Sequence, residues 1–186
     1  MQDSELLMQF RDPATKEKAY TAIIRKYQER LYWHIRRMVV EHEDANDVLQ
    51  NVFIRVWNGL ENFREDSQLY TWLYRIATNE LNQYYRKQKY QPQSLQQLLE
   101  NPHMEKLLHQ QQDNEREMIE RELQQHEDYN QIRVNLLKLD IKYQEVIALR
   151  YFEQKTNVEI SLILGKNEGT VKSLLSRGLE KLRNML

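Results

Sequence analysis

The sequence predicts an all-α protein: two small helical domains joined by a linker. Three observations carry this. The 186 residues include only 4 glycines and 3 prolines among long stretches of Leu, Gln, Glu, Lys and Arg, a composition that favours helix over strand. Apolar residues recur at spacings of three and four in the first half and again in the last third, the period of helices that bury one face. Between those regions runs a Gln-rich, acidic stretch with too few large apolar residues to build a core.

In the first half, Leu6, Leu7 and Phe10 make a short apolar stretch that breaks at Asp12 and Pro13. A long helix is expected over residues 14–40, buried along Tyr20, Ile23, Tyr27, Leu31, Ile35 and Met38. The acidic run 41–44 ends it. Asp44 is expected to cap a second helix, with Asp47 in the first turn near the positive end of the helix dipole. Within it, DVLQNVFIRVW (47–57) gathers Val48, Leu49, Val52, Phe53, Val56 and Trp57 on one side and Asp47, Asn51 and Arg55 on the other. Ile54 falls on the polar side, between Asp47 and Gln50 in projection, so a surface outside this domain is expected to cover it. The helix should stop near Gly59, and a loop follows that carries Phe63, Arg64 and Ser67. A third helix over 69–87 would bury Leu69, Trp72, Leu73, Ile76, Ala77 and Tyr84. Three matched apolar faces make one bundle, placing the first domain at 1–88.

Residues 89–127 read as the linker, interrupted by Pro92 and Pro102. The second domain is placed at 128–186, with helices expected over 129–139 and 142–152. Then comes TNVEISLILGKNEGTVKSLLSRGLEKLRNML. Thr156 and Glu159 have capping-box spacing, Gly165 can close the short helix in a left-handed turn, and Asn167 can cap the next helix. A short helix, a tight glycine turn and a longer basic helix are the helix-turn-helix pattern.

The net charge of −1 conceals an uneven distribution. Residues 1–90 hold 14 basic and 13 acidic side chains, residues 91–127 hold 3 and 8, and residues 128–186 hold 10 and 7. A basic end and an acidic middle suit nucleic-acid-contacting modules joined by a non-binding connector. There are no cysteines, which excludes disulfides, thiolate metal sites and cysteine nucleophiles. No apolar run approaches the ~20 residues that span a bilayer, and MQDSELLMQF lacks the pattern of a signal peptide. A cytoplasmic protein without membrane insertion is expected.

No catalytic constellation is present: no phosphate-cradling glycine loop, no paired histidines at metal spacing, no nucleophile elbow. No cofactor, metal or catalytic residue is expected. His34, His42, His103, His109 and His126 are scattered, and the cluster Glu41, Glu43, Asp44 and Asp47 reads as capping rather than cation binding. In the final helix, Val171, Leu174, Leu175, Gly178, Leu179 and Leu182 project onto one side, with Thr170, Lys172, Ser173, Ser176 and Arg177 opposite. Small hydroxyl side chains let a helix approach a major groove, where Thr170, Ser173 and Arg177 can reach base edges and Lys172, Lys181 or Arg183 phosphates. The third helix carries Arg75, Asn79, Asn82 and Arg86 away from its core side, with Tyr74, Tyr85, Phe63 and Arg64 nearby. Basic groups, amides and aromatics are equipment for single-stranded nucleic acid. For both helices a plain solvated face is the alternative.

Two segments carry a resemblance. DANDVLQNVFIRVWNGLENFREDSQLYTWLYRIATNELNQYYRK resembles the promoter-melting domain of bacterial RNA polymerase sigma factors of the extracytoplasmic-function (ECF) group, and YQEVIALRYFEQKTNVEISLILGKNEGTVKSLLSRGLEKLR resembles their helix-turn-helix domain. The resemblance implies a sigma factor that binds core RNA polymerase and directs promoter opening. It assigns Asp47, Gln50, Asn51, Ile54 and Asn58 to the clamp helices of the β′ subunit, with the β flap as a further contact. It assigns Phe63, Arg64, Ser67, Arg75, Asn79, Asn82 and Arg86 to the −10 element, where a flipped base is taken up, and Thr170, Lys172, Ser173, Ser176 and Arg177 to the −35 duplex. An anti-sigma factor is the implied regulator. Three residues depart from the family's pattern: Asn51 where glutamate is typical, Leu175 where the recognition helix often has arginine, and Ser161 where alanine is usual. A dimeric helix-turn-helix regulator and a helical adaptor are the rival readings.

Overall fold

The computed structural model describes residues 2–89 and 127–186. Among these residues every regular element is helical. The first group comprises α1 (Asp3–Arg11), α2 (Lys16–Arg36), α3 (His42–Gly59), a 3-10 turn (Leu60–Asn62) and α4 (Leu69–Lys89). The second comprises α5 (Glu127–Leu137), α6 (Ile141–Ile147) continued by a π-helical turn (Ala148–Phe152), α7 (Asn157–Leu164) and α8 (Glu168–Arg183). The segment read as a linker lies, apart from its ends, outside the described residues.

The apolar lines of α2, α3 and α4 meet as the sequence predicts. Ile23, Leu31 and Ile35 of α2, Val52 and Val56 of α3, and Leu73, Ala77 and Leu81 of α4 are fully buried. The stretch at Leu6, Leu7 and Phe10 is itself a helix, and all three residues are buried. The Phe10 ring sets its edge against Trp57 at 5.5 Å, and Trp57 packs on Tyr20 at 4.8 Å. α1 thus closes the end of the bundle between α2 and α3, removing three large apolar side chains at roughly 2 kcal/mol each.

Two boundary expectations change. The long helix ends at Arg36 rather than near residue 40. Met38, Val39 and Val40 are buried in extended or turn backbone, and the Arg36 guanidinium donates to the Val39 and Val40 carbonyls at 2.9 and 3.0 Å. Nor does Asp44 cap α3, which starts after Glu41. Asp44 instead accepts the Tyr84 hydroxyl at 2.7 Å, tying the first turn of α3 to α4.

The second group is built around α6. The Gln144 amide, buried, donates to the Leu137 and Leu139 carbonyls at 3.3 and 2.7 Å and so satisfies the end of α5. A Cβ on Gly178 would lie 3.1 Å from Ile147 Cδ1 and 3.3 Å from the Tyr143 side chain. The glycine therefore sets how closely α8 approaches α6.

The two groups pack on each other through α4. Glu153, which follows the wide turn after α6, accepts the Tyr74 hydroxyl at 2.5 Å and the Arg37 guanidinium at 2.8 Å. Tyr70 donates its hydroxyl to Glu159 of α7. Asn82 donates to Glu145 of α6 at 2.8 Å, and Arg133 of α5 donates to the Arg36 carbonyl at 3.0 Å. His34, fully buried, faces Tyr74 edge to face at 4.9 Å. Its Nδ1 lies 3.9 Å from Glu153, beyond hydrogen-bond reach. Burial, and secondarily Arg37, holds the imidazole pKa down to about 3, so the ring is neutral and the contact is not an ion pair.

Candidate nucleic-acid interface

The helix-turn-helix forms because its caps are encoded locally. Thr156 Oγ1 accepts the Glu159 N–H at 3.2 Å, and the Glu159 carboxylate accepts the Thr156 N–H at 2.7 Å. These bonds, with the Tyr70 hydroxyl foremost, pull the Glu159 pKa down to about 2. Gly165 takes φ +62°, the left-handed conformation that ends α7 without a Cβ penalty. Asn167 Oδ1 then accepts the Thr170 N–H at 2.7 Å and starts α8, a cap that contributes about 1 kcal/mol.

α8 buries Val171, Leu175, Gly178 and Leu182 against the other helices. Lys172, Ser173, Ser176 and Arg177 are exposed on the opposite side, with Thr170 half-buried at the start of the helix. Lys172 is 4.0 Å from Glu168, both well exposed, a pair that fixes little. Leu179, expected among the core residues, is 36 % exposed, whereas Leu182 one turn further on is buried; in projection Leu179 lies at the edge of the buried stripe of Val171, Leu175, Gly178 and Leu182. Leu175 is buried, so the departure from arginine at this position alters packing rather than the solvent-facing side.

On α4, Arg75, Asn79 and Arg86 are exposed along one side. Asn82 shares that side but is half-buried, its amide donating to the Thr78 carbonyl and to Glu145. An open cleft of about 490 Å³ runs here between the two groups, bordered by Arg55, Asn79, Asn82, Arg86, Lys142 and Lys166. The preceding loop is anchored from α1, where Arg11 donates to the Phe63 carbonyl at 3.2 Å and pairs with Glu65 at 2.9 Å. Arg64 is exposed and Ser67 half-buried. Phe63 corrects the sequence reading. It is 7 % exposed and packs at 5.1 Å, tilted, against Trp72, so in this structure its ring serves the core and is turned away from the surface. Tyr74 and Tyr85, also read as near the strand-facing side, are turned inward: Tyr74 to Glu153, and Tyr85 to the Met38 carbonyl, with Gln144 Oε1 at 3.1 Å.

On α3, Asp47, Gln50, Asn51, Ile54 and Asn58 are all exposed, and Ile54 is 52 % exposed in their midst. The helix presents its misplaced isoleucine to solvent, as the projection requires.

Residues 23–90 match the model of Sigma-70 region 2, and residues 129–182 match Sigma-70, region 4. The ECF RNA polymerase sigma factor SigW of Bacillus subtilis is 31 % identical over 170 residues, covering 91 % of this chain and 90 % of the relative. The chain belongs to the ECF sigma factors. RNA polymerase sigma factor YlaC of Bacillus subtilis is similar at 32 % identity, covering 88 % and 90 % of the two chains. The ECF RNA polymerase sigma-E factor of Haemophilus influenzae is similar at 31 %, covering 91 % and 88 %. Among solved structures, CnrH in complex with the cytosolic domain of CnrY shares the fold at a TM-score of 0.67 and 21 % identity, covering 98 % of this chain and 96 % of that one. The sigma factor RpoE in complex with the anti-sigma factor NepR, from Bartonella quintana, does so at 0.63 and 19 %, covering 90 % and 96 %. This ECF sigma factor is thus an alternative sigma factor for transcription initiation, helical throughout its described residues, none of whose helices is long and apolar enough to cross a membrane.

Proposed function

We propose that the exposed side of α3, centred on Ile54 with Asp47, Gln50, Asn51 and Asn58, binds the clamp helices of the β′ subunit of core RNA polymerase. A mixed patch with one apolar residue at its centre is how a moderate interface differs from ordinary surface. The observation that carries the assignment is the exposure of Ile54 on an otherwise polar helix side. The β flap makes the second contact with polymerase. α4 and its preceding loop, through Arg64, Ser67, Arg75, Asn79, Asn82 and Arg86, take the −10 strand. Unstacking a base costs a few kcal/mol, which hydrogen bonding and stacking in a protein pocket offset. Phe63 supports this loop from within. Thr170, Lys172, Ser173, Ser176 and Arg177 read the −35 duplex. The two modules correspond to residues 1–88 and 128–186, joined through 89–127.

The protein acts in the cytoplasm without catalytic activity of its own, since the polymerase supplies the chemistry. A separate anti-sigma factor is its regulator, by analogy with the relative bound to NepR. Ile54→Glu tests the polymerase assignment. Because the side chain is half solvated, the fold and melting temperature should be retained while affinity for core polymerase falls at least tenfold. Unchanged affinity refutes the assignment.

A further inference from the structure

Between α2 and the turn that follows α6 lies a cleft whose residues belong to none of the polymerase and promoter surfaces assigned above. We propose that it is a binding site for a small organic anion of the nucleoside diphosphate class, with the phosphates held by Arg30 and Lys155 and the base laid against Trp33.

The cleft has the size and walls of a ligand site. Its volume is about 470 Å³, within the roughly 300–1,000 Å³ of small-molecule pockets. Arg30, Trp33 and Arg37 recur at spacings of three and four along α2 and so share the face that forms one wall. Phe152, Glu153 and Lys155 form the other, over a floor made by the buried Tyr74 of α4. The second wall depends on Gln154, which takes φ +53°, a left-handed conformation that residues other than glycine rarely adopt. With the chain turned there, the Lys155 N–H reaches the Leu149 carbonyl at 2.9 Å, and the Lys155 ammonium comes back over α4, 4.0 Å from the centre of the Tyr70 ring and 5.7 Å from that of Tyr74.

The charges of the lining fall into two kinds. Those at the floor are matched: Glu153 accepts the Tyr74 hydroxyl at 2.5 Å and the Arg37 guanidinium at 2.8 Å, and Arg37 lies 4.8 Å over the Phe152 ring. Arg30 and Lys155 are different. Among the described residues neither has a carboxylate within 4.0 Å. Glu159, which feels Lys155, is engaged by the Tyr70 hydroxyl and the Thr156 N–H. Burial and Glu153 raise the Tyr74 hydroxyl pKa while Arg30 and Arg37 oppose the rise, so both guanidinium charges are felt at the floor. Two cations left over at an enclosed, aromatic-walled cleft are equipment for an anion.

The walls favour an anion that carries a flat ring. A bare phosphate would use the cations and leave Trp33 and Phe152 without a role, whereas a base stacked on one such ring gains roughly tenfold or more in affinity. Glu29 also borders the cleft. It is exposed, and its acceptor oxygens suit a ribose hydroxyl or a base amine.

Isothermal titration of the full-length chain with ADP and with GDP tests the site. Pyrophosphate, adenosine and guanosine are the arms that carry only the phosphates or only the base. At least one diphosphate should bind at least tenfold more tightly than pyrophosphate and than its own nucleoside. Arg30→Gln and Lys155→Gln should each weaken that binding about tenfold with the melting temperature kept. Trp33→Leu should lower nucleotide affinity to that of pyrophosphate and leave pyrophosphate unchanged. Arg25→Gln makes the same charge change on α2 outside the cleft and should have no effect. Several results overturn the inference: no binding of either diphosphate at about 1 mM, pyrophosphate bound as tightly as the nucleotides, or an equal loss in Arg25→Gln, which would show diffuse attraction. Single-stranded DNA that binds more tightly than any mononucleotide and is lost with the same three substitutions assigns the cleft to a nucleic-acid strand and overturns the small-molecule reading.

Discussion

Glu145 offers the sharpest thermodynamic test. It is 5 % exposed on α6 and accepts the Asn82 amide at 2.8 Å. Burial pushes its carboxyl pKa from 4.5 up to about 7, against the opposing pull of the Asn82 hydrogen bond and the Lys166 ammonium. Tyr85 of α4 also faces it, and Arg55, Glu80, Arg86 and Lys142 share its cleft. In the unfolded chain this carboxyl titrates near its ordinary value. With the folded value raised, folding takes up a proton between pH 4.5 and about 7. The stability contribution is full below pH 4.5, declines as pH rises, and is lost above about 7. At about 1.4 kcal/mol per pH unit the gap amounts to on the order of 3 kcal/mol. Glu145→Gln keeps an oxygen for Asn82 and removes the ionisation, at the expense of about 1 kcal/mol for an amide group with no designed partner. Urea unfolding should therefore find the variant about 2 kcal/mol more stable than wild type at about pH 8 and no more stable at about pH 5. An equal destabilisation at both pH values would show that the carboxylate is held charged by its basic neighbours, and the burial argument would be wrong.

The remaining predictions follow the same physics. His34→Leu removes two buried ring nitrogens that have no hydrogen-bond partner among the described residues and should stabilise the protein by about 1 kcal/mol at neutral pH. Because the folded His34 pKa is depressed to about 3, its contribution is full above 6.5 and is lost as pH falls toward 3. Acid titration of stability should flatten in the variant, and an unchanged acid limb contradicts the assignment. Gly165→Ala meets no atom within 4 Å but must adopt φ +62°, so thermal melting should report a loss of about 1 kcal/mol from backbone strain alone. Arg177→Ala should reduce transcription from templates that depend on −35 and spare those supplied with a pre-melted −10 region. Equal loss on both templates contradicts the division of labour.

What the sequence reveals is mostly what it encodes locally. The Thr156 capping box, the left-handed Gly165 and the Asn167 cap depend on residues within a few positions of one another, and all three form as the spacing predicts. The faces of α2 and α3 are equally legible, because a sustained period of three and four leaves few ways to bury them, and the same projection exposes Ile54. Longer-range chemistry is hidden. α1 has only three buried positions to announce it, and its Phe10 packs on Tyr20 of the next helix and on Trp57, far along the chain. Asp44 has the residue type and place of a cap, yet the Tyr84 hydroxyl claims it. Phe63 reads as a free aromatic in a loop until Trp72 is seen beneath it. The contacts that Glu145, Glu153 and Glu159 make with α4 have no local signature, because their partners there lie more than sixty residues away.

Run-off transcription with purified core RNA polymerase, the full-length protein and a library of upstream sequences, with start sites mapped, tests the central claim most directly. Defined start sites that appear only when the protein is added are the expected result. Core polymerase that gains no specific starts from well-folded protein would contradict the account.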